Sequence, residues 1–243
     1  MLFVINSTFG KAFKKGDIMH IPDGYLSPQT YIPLYGLSIV FWSTAIKKIK
    51  AYLSARYIPY LAMSAAFSFL IMMFNIPIPG GTTGHAVGAA VIAIILGPWT
   101  AVIAVSIVLI IQAVVFGDGG ITAIGANCFN MAVIAPFVSY WIFRAVKGDH
   151  LDGLRIKIAA FLSGYGGLVA ASLFAAIEFG IQPLIAAAPD GRAMYAPYPL
   201  SIAIPAMVGE HALVFGIVEG IVTLLAFNYF IKHEPELVYG LRG

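Results

Sequence analysis

The chain has 243 residues, of which 60% are hydrophobic and 10% charged, against about 25% charged residues in an ordinary soluble domain. That composition excludes a water-soluble enzyme or nucleic-acid binder and points to an integral membrane protein, whose length counts bilayer crossings rather than domains. The net charge of +3, from 14 Lys and Arg against 11 Asp and Glu, says little by its size; where the basic residues lie says more.

The first eighteen residues stand apart. Lys11, Lys14 and Lys15 follow the short apolar patch MLFVI instead of preceding it, and no apolar run with a small-residue cleavage site comes after, so this is not a secretory signal. Back-translated, Lys14 to Met19 can be written AAA AAA GGA GAT ATT ATG, a purine-rich ribosome-binding sequence shortly before a methionine codon. The expectation is that residues 1–18 are a leader absent from the mature protein, which then begins at Met19; a genuine extension is the competing reading. Residues 19–243 are expected to form a single transmembrane domain.

From there the apolar stretches predict seven helices: about Tyr31 to Ile46, Tyr57 to Phe74, His85 to Leu96, Trp99 to Phe116, Ile121 to Val146, Ile156 to Gly180 and Ser201 to Ile231. The third is shorter than the roughly 20 residues a full crossing needs, and Gly97-Pro98 divides it from the fourth. No alternating pattern suggests barrel strands, so the expected fold is an all-α, polytopic helix bundle. With the Met19 segment outside, ten of the fourteen basic residues fall in cytoplasmic parts and only Arg192 in an outer loop. The bias predicts an outer N-terminus and an inner C-terminus. Cys128 is the single cysteine and lies in an apolar segment, so no intrachain disulfide is possible.

The sequence MHIPDGYLS from Met19 to Ser27 carries the chemistry. A chain beginning at Met19 offers an α-amine of pKa about 8, the His20 backbone nitrogen once deprotonated, and His20 Nδ1. These are three nitrogen donors in two fused chelate rings. Nitrogen in a square plane favours Ni²⁺ or Cu²⁺ over tetrahedral Zn²⁺ or oxygen-seeking Mg²⁺. A fourth donor has few candidates among His20, His85, His150, His211 and His233. His150 and His233 fall on the cytoplasmic side by the charge rule. His85 ends the Gly-rich loop PIPGGTTGH and lies on the side of Met19, which makes it the best partner. His211, next to Glu210 within the last apolar stretch, is a lesser metal candidate, with helix packing as the competing role.

MHIPDGYLS, GGTTGHAVG (Gly80 to Gly88), LGPW (Leu96 to Trp99) and IQAVVFGDGGITAIGANCFNMAV (Ile111 to Val133) occur in order. Together they closely resemble the CbiM/NikM family, the substrate-capture S components of energy-coupling-factor (ECF) nickel and cobalt importers. The resemblance covers the chain from Met19 onward. It implies a metal held square-planar by the Met19 amine, the His20 amide and imidazole, and His85. It also implies a prokaryotic cell-membrane location, and a transport subunit, not an enzyme. Its partners would be two ATP-binding subunits that hydrolyse ATP, a transmembrane coupling subunit and a small auxiliary membrane subunit. The cobalt branch tends to begin MHIMEG and to carry Ser-His-Pro-Thr-Gly at the loop histidine. Pro22-Asp23 and Gly84-His85-Ala86 depart from that pattern, which favours Ni²⁺, with Co²⁺ uptake for cobalamin biosynthesis as the alternative.

Around this site Thr83, Gln112, Asn127 and Asn130 are candidates for orienting His85 or closing the loop, with interhelical hydrogen bonding as their competing role. Gly117 to Gly120 reads as a tight outer turn. Glu178 and Glu219 read as ion-passage or packing groups. Ala62 and Ala66, four residues apart, mark a candidate face for the coupling subunit. A self-sufficient nickel/cobalt permease would carry His-x4-Asp-His, and an intramembrane metalloprotease His-Glu-x-x-His; neither occurs.

Overall fold

Pro28, whose fixed φ suits the first turn of a helix, opens helix α1 (Pro28–Lys50), and the Ser27 carbonyl receives the amides of Thr30 and Tyr31. Helix α1 buries Thr30, Leu34 and Ser38 in one stripe and leaves Ile32, Leu37, Ile39 and Val40 exposed. Apolar side chains on the outside as well as the inside are what a helix in lipid presents. The computed structural model describes residues 20–50, 57–78 and 82–238. The leader, Met19, Arg56, the glycines at 80 and 81, and Arg242 lie outside the described residues.

After α1 come α2 (Tyr57–Met72), a two-stranded antiparallel hairpin of β1 (Ile76–Ile78) and β2 (Thr82–Gly84), and α3 (Ala89–Leu96). Gly97 alone separates α3 from α4 (Pro98–Phe116); α5 (Ile124–Lys147), α6 (Gly153–Ile185) and α7 (Leu200–His233) complete the bundle. Among the described residues, α4 to α7 are long and apolar enough to cross a membrane. All eight residues of α3 are buried. At 1.5 Å per residue it is about 12 Å long, less than half the hydrocarbon thickness of roughly 30 Å. It is an interior half-helix enclosed by the others.

The helices therefore occupy the apolar stretches of the sequence, with different bounds. The third begins at Ala89, not His85, because residues 85–88 are an irregular, buried segment ending in Gly88 at φ 73°. Such a backbone is tolerated inside a membrane protein only where protein groups satisfy it. Helix α6, at 33 residues, runs past the stretch Ile156 to Gly180 at both ends, whereas α7 exceeds Ser201 to Ile231 by only one residue at its start and two at its end.

Close packing comes from small residues. A Cβ added at Gly164 of α6 would lie 2.7 Å from the Glu219 carbonyl oxygen of α7, and one at Gly167 2.8 Å from that of Ala135 on α5. The three backbones can approach only because those side chains are missing. The main core gathers Ile92, Ile94, Val105, Cys128, Phe143 and Phe227 around α3. A second, smaller cluster seats Ile21 and Leu26 against Leu34, Ala123 and Ala126, so both ends of the stretch from His20 to Ser27 are packed inward while Asp23 to Tyr25 stay exposed.

Three helices widen into π-helical turns: Gln112–Phe116 in α4, Cys128–Ile134 in α5 and His211–Phe215 in α7. Each holds one of the polar residues singled out in the sequence, Gln112, Asn130 and His211. Such turns are rare and concentrate at functional sites.

Candidate metal centre

Residues 20–23 are stitched to the turn and helix start at 118–127. The Ile21 amide donates to Asn127 Oδ1 at 3.1 Å, and the Ile21 carbonyl accepts from Asn127 Nδ2 at 3.2 Å and from the Gly120 amide at 2.9 Å. The Asp23 carboxylate accepts from the amides of Ile121 and Thr122 at 3.2 and 2.8 Å, and from the Thr122 hydroxyl at 2.5 Å. Further along, the Ser27 amide donates to Gln182 Oε1 at 2.9 Å.

This stitching buries His20 beside His85, their ring centroids 5.1 Å apart and their planes at 85°. His85 Nδ1 lies 2.9 Å from the Ala86 carbonyl oxygen. A carbonyl can only accept, so Nδ1 carries the proton and Nε2 keeps a lone pair, the arrangement metal-binding histidines adopt. His20 Nδ1 stands 3.5 Å from both the carbonyl and a carboxylate oxygen of Asp118, and its Nε2 is buried with no partner among the described residues. At that distance Asp118 acts on the ring through its charge more than through a formed hydrogen bond.

Burial lowers the pKa of His20, against the opposing pull of Asp118. Burial lowers that of His85 to about 3, reinforced by the neighbouring His20. Both rings are therefore neutral at physiological pH, the form that binds a metal. Among the described residues, no group of three or more His, Cys, Asp or Glu side chains is arranged to hold a metal ion. A cation at the His20–His85 pair must draw its other donors from elsewhere, main-chain nitrogen included.

Of the remaining candidates, Asn127 is in direct contact with the segment bearing His20. Gln112 is buried with neither side-chain polar atom partnered among the described residues, while its carbonyl accepts from the Asp118 amide at 2.9 Å. Asn130 faces away into a different pair, donating from Nδ2 to Glu178 at 2.9 Å. Thr83 lies in β2, opposite Pro77. His211 Nδ1 binds its own helix at the Met207 carbonyl, 2.8 Å away, with Glu210 at 3.6 Å. Two residues gained a place that the sequence reading did not give them. Asp118, read as part of a turn, borders His20, and Glu219 holds the loop that follows His85, accepting from the amides of Val87 and Gly88 at 2.7 and 3.0 Å. An acid flanked by glycines in FGDGG, and one isolated acid in an apolar helix, were the only signals.

Residues 20–237 match the CbiM family, described as the cobalt uptake substrate-specific transmembrane region. The chain belongs to the CbiM family. Among proteins similar to this CbiM-family chain is the fused nickel transport protein NikMN of Rhodobacter capsulatus, 49% identical over 221 residues; the match covers 90% of this chain and 64% of that longer protein. The cobalt transport protein CbiM of Acetohalobium arabaticum is 31% identical over 225 residues, covering 90% of this chain and 84% of that one. A crystal structure of a transition metal transporter superposes with a TM-score of 0.84 at 46% identity, covering 93% of this chain and all of that one.

Proposed function

We propose that this protein is the substrate-binding component of an ECF-type, ATP-driven importer in a prokaryotic cell membrane, and that it captures Ni²⁺ at the outer face. The metal is held by the Met19 amine, the backbone and Nδ1 nitrogens of His20, and His85 Nε2. The observation that carries this reading is the His20–His85 pair: two neutral imidazoles 5.1 Å apart, one already in the tautomer that leaves Nε2 free. Binding at His20 Nδ1 exchanges the Asp118 contact for the metal. Nickel over cobalt is supported by the 49% identity to a protein named for nickel transport, against 31% to one named for cobalt, and by the affinity order, in which Ni²⁺ follows Co²⁺ upward.

Release of the ion inward rests on partner subunits that hydrolyse ATP and a coupling subunit, whose docking face includes the exposed Ala62 and Ala66 of α2. The chain itself is a transport subunit with no reaction to catalyse.

The test is N-terminal sequencing and intact mass of the protein from its own host, followed by nickel titration of the same sample. A chain beginning at Met19 should bind one Ni²⁺. His20→Ala and His85→Ala should each abolish tight binding, and His211→Ala, at a residue committed to its own helix, should not. Tight binding by a chain that retains residues 1–18 would remove the amine from the site.

A further inference from the structure

The loop that carries His85 is gripped from both sides by a single helix. Before the histidine, Gly84 lies flat against the Phe215 ring, so that a Cβ there would fall 2.4 Å from two ring carbons. After it, the amides of Val87 and Gly88 both donate to Glu219 Oε2, at 2.7 and 3.0 Å. Phe215 and Glu219 are four residues apart on α7, hence one turn apart on one face. Glu219 is 2% exposed. On the other side, Ser68 of α2 donates to the Val87 carbonyl at 2.7 Å.

The backbone at 85–88 explains why such a grip is needed. It precedes α3, whose first amides have no helical acceptor, and Gly88 at its N-terminus supplies no side-chain cap. A carboxylate from α7 takes the place of that cap. His85, two residues from Val87, inherits its position from this bond.

Resting on the metal-site reading above, we infer that Glu219 is the positioning residue for His85: it holds the loop so that Nε2 meets the ion, and it ties the fourth ligand to α7. Its oxygen need not touch the metal. The π turn of α7 ends at Phe215, so both contacts to the ligand loop, Phe215 and Glu219, lie at or beyond its end, on the side away from Pro205.

The test uses Glu219→Gln and Glu219→Met in the chain beginning at Met19. Both are close to Glu in volume, but only Gln still offers an oxygen to the two amides. Nickel affinity and the visible absorption of bound Ni²⁺ are read for each, alone and combined with His85→Ala. Glu219→Gln should bind within a few-fold of the unaltered protein. Glu219→Met should match His85→Ala in both affinity and spectrum, and the double variant Glu219→Met/His85→Ala should bind no more weakly than His85→Ala alone, because both changes remove the same ligand. Nickel binding unaltered in Glu219→Met, or losses that multiply in the double variant, would overturn the inference while leaving the site standing. A His85→Ala protein that binds nickel as tightly as the unaltered chain would overturn the site reading itself, and this inference with it.

Discussion

Asn127→Ala probes how the His20 segment is seated. The change deletes both side-chain bonds to Ile21, at 3.1 and 3.2 Å and both buried. The Ile21 carbonyl keeps the Gly120 amide at 2.9 Å, but the Ile21 amide has no other acceptor among the described residues and becomes a buried orphan. Two net hydrogen bonds at about 1 kcal/mol each, with the orphan adding up to about 2 more, give a loss of roughly 2–4 kcal/mol in holding residues 20–23 down. The direct assay is hydrogen exchange of the metal-free protein, followed by mass spectrometry on peptides spanning residues 20–27. If the segment opens locally, exchange there should quicken by roughly 30- to 700-fold, while peptides from α5 and α6 stay as they were. Nickel affinity should fall with it to the extent that the open state becomes populated. Unchanged exchange at residues 20–27 in a folded Asn127→Ala protein would refute the claim that this side chain seats the segment.

Gly120→Ala attacks the same junction without removing a bond. The added methyl would lie 2.2 Å from the Asp23 amide nitrogen and 2.6 Å from the Pro22 carbonyl carbon, backbone atoms that cannot swing aside, so the segment should fail to seat. Nickel binding should drop as far as in His20→Ala, with the bundle's thermal unfolding little altered; retained affinity would count against the docked geometry. Acid should weaken the metal-free protein through His85. Its folded pKa of about 3 lies below the 6.5 it has when unfolded, so between these values the unfolded chain binds the extra proton. Stability is complete above pH 6.5 and falls as the pH drops toward 3. By pH 5 the loss from this residue is about 2 kcal/mol, from 1.5 units at 1.36 kcal/mol each. Melting temperatures at pH 7.5 and 5.0 should diverge more for the unaltered protein than for His85→Gln; equal divergence would show that His85 is not the group responsible.

What the sequence disclosed, and what it hid, follows from the range of the interactions. Apolar runs located every helix, since the bilayer demands them locally. They overran the start of α3 because its cap is Glu219, 131 residues from Gly88 in the chain, and no local pattern encodes a partner so distant. They stopped short on α1, although Ser27-Pro28 is a recognisable helix opening. His20 and His85 were legible as a pair because each stands beside a distinctive backbone, an IPDG turn and a Gly-rich loop. Asn127 binds the segment that bears His20, whereas Asn130, three residues on and equally buried, turned to Glu178. Which of two asparagines faces the centre depends on the widened turn at Cys128–Ile134, a backbone feature without a sequence signature.

The enclosed half-helix also sets an order of assembly during biosynthesis. A segment of eight residues gives a translocon too little apolar length to partition as a span of its own, and α3 packs against α5, α6 and α7, all made after it. The loop that carries His85 waits longest, because both of its grips on the carboxyl-terminal side, Phe215 and Glu219, belong to α7. A nascent chain arrested before residue 215 has both histidines but lacks the α7 contacts that hold the loop bearing His85, so the spacing of the pair is set only once α7 has been made.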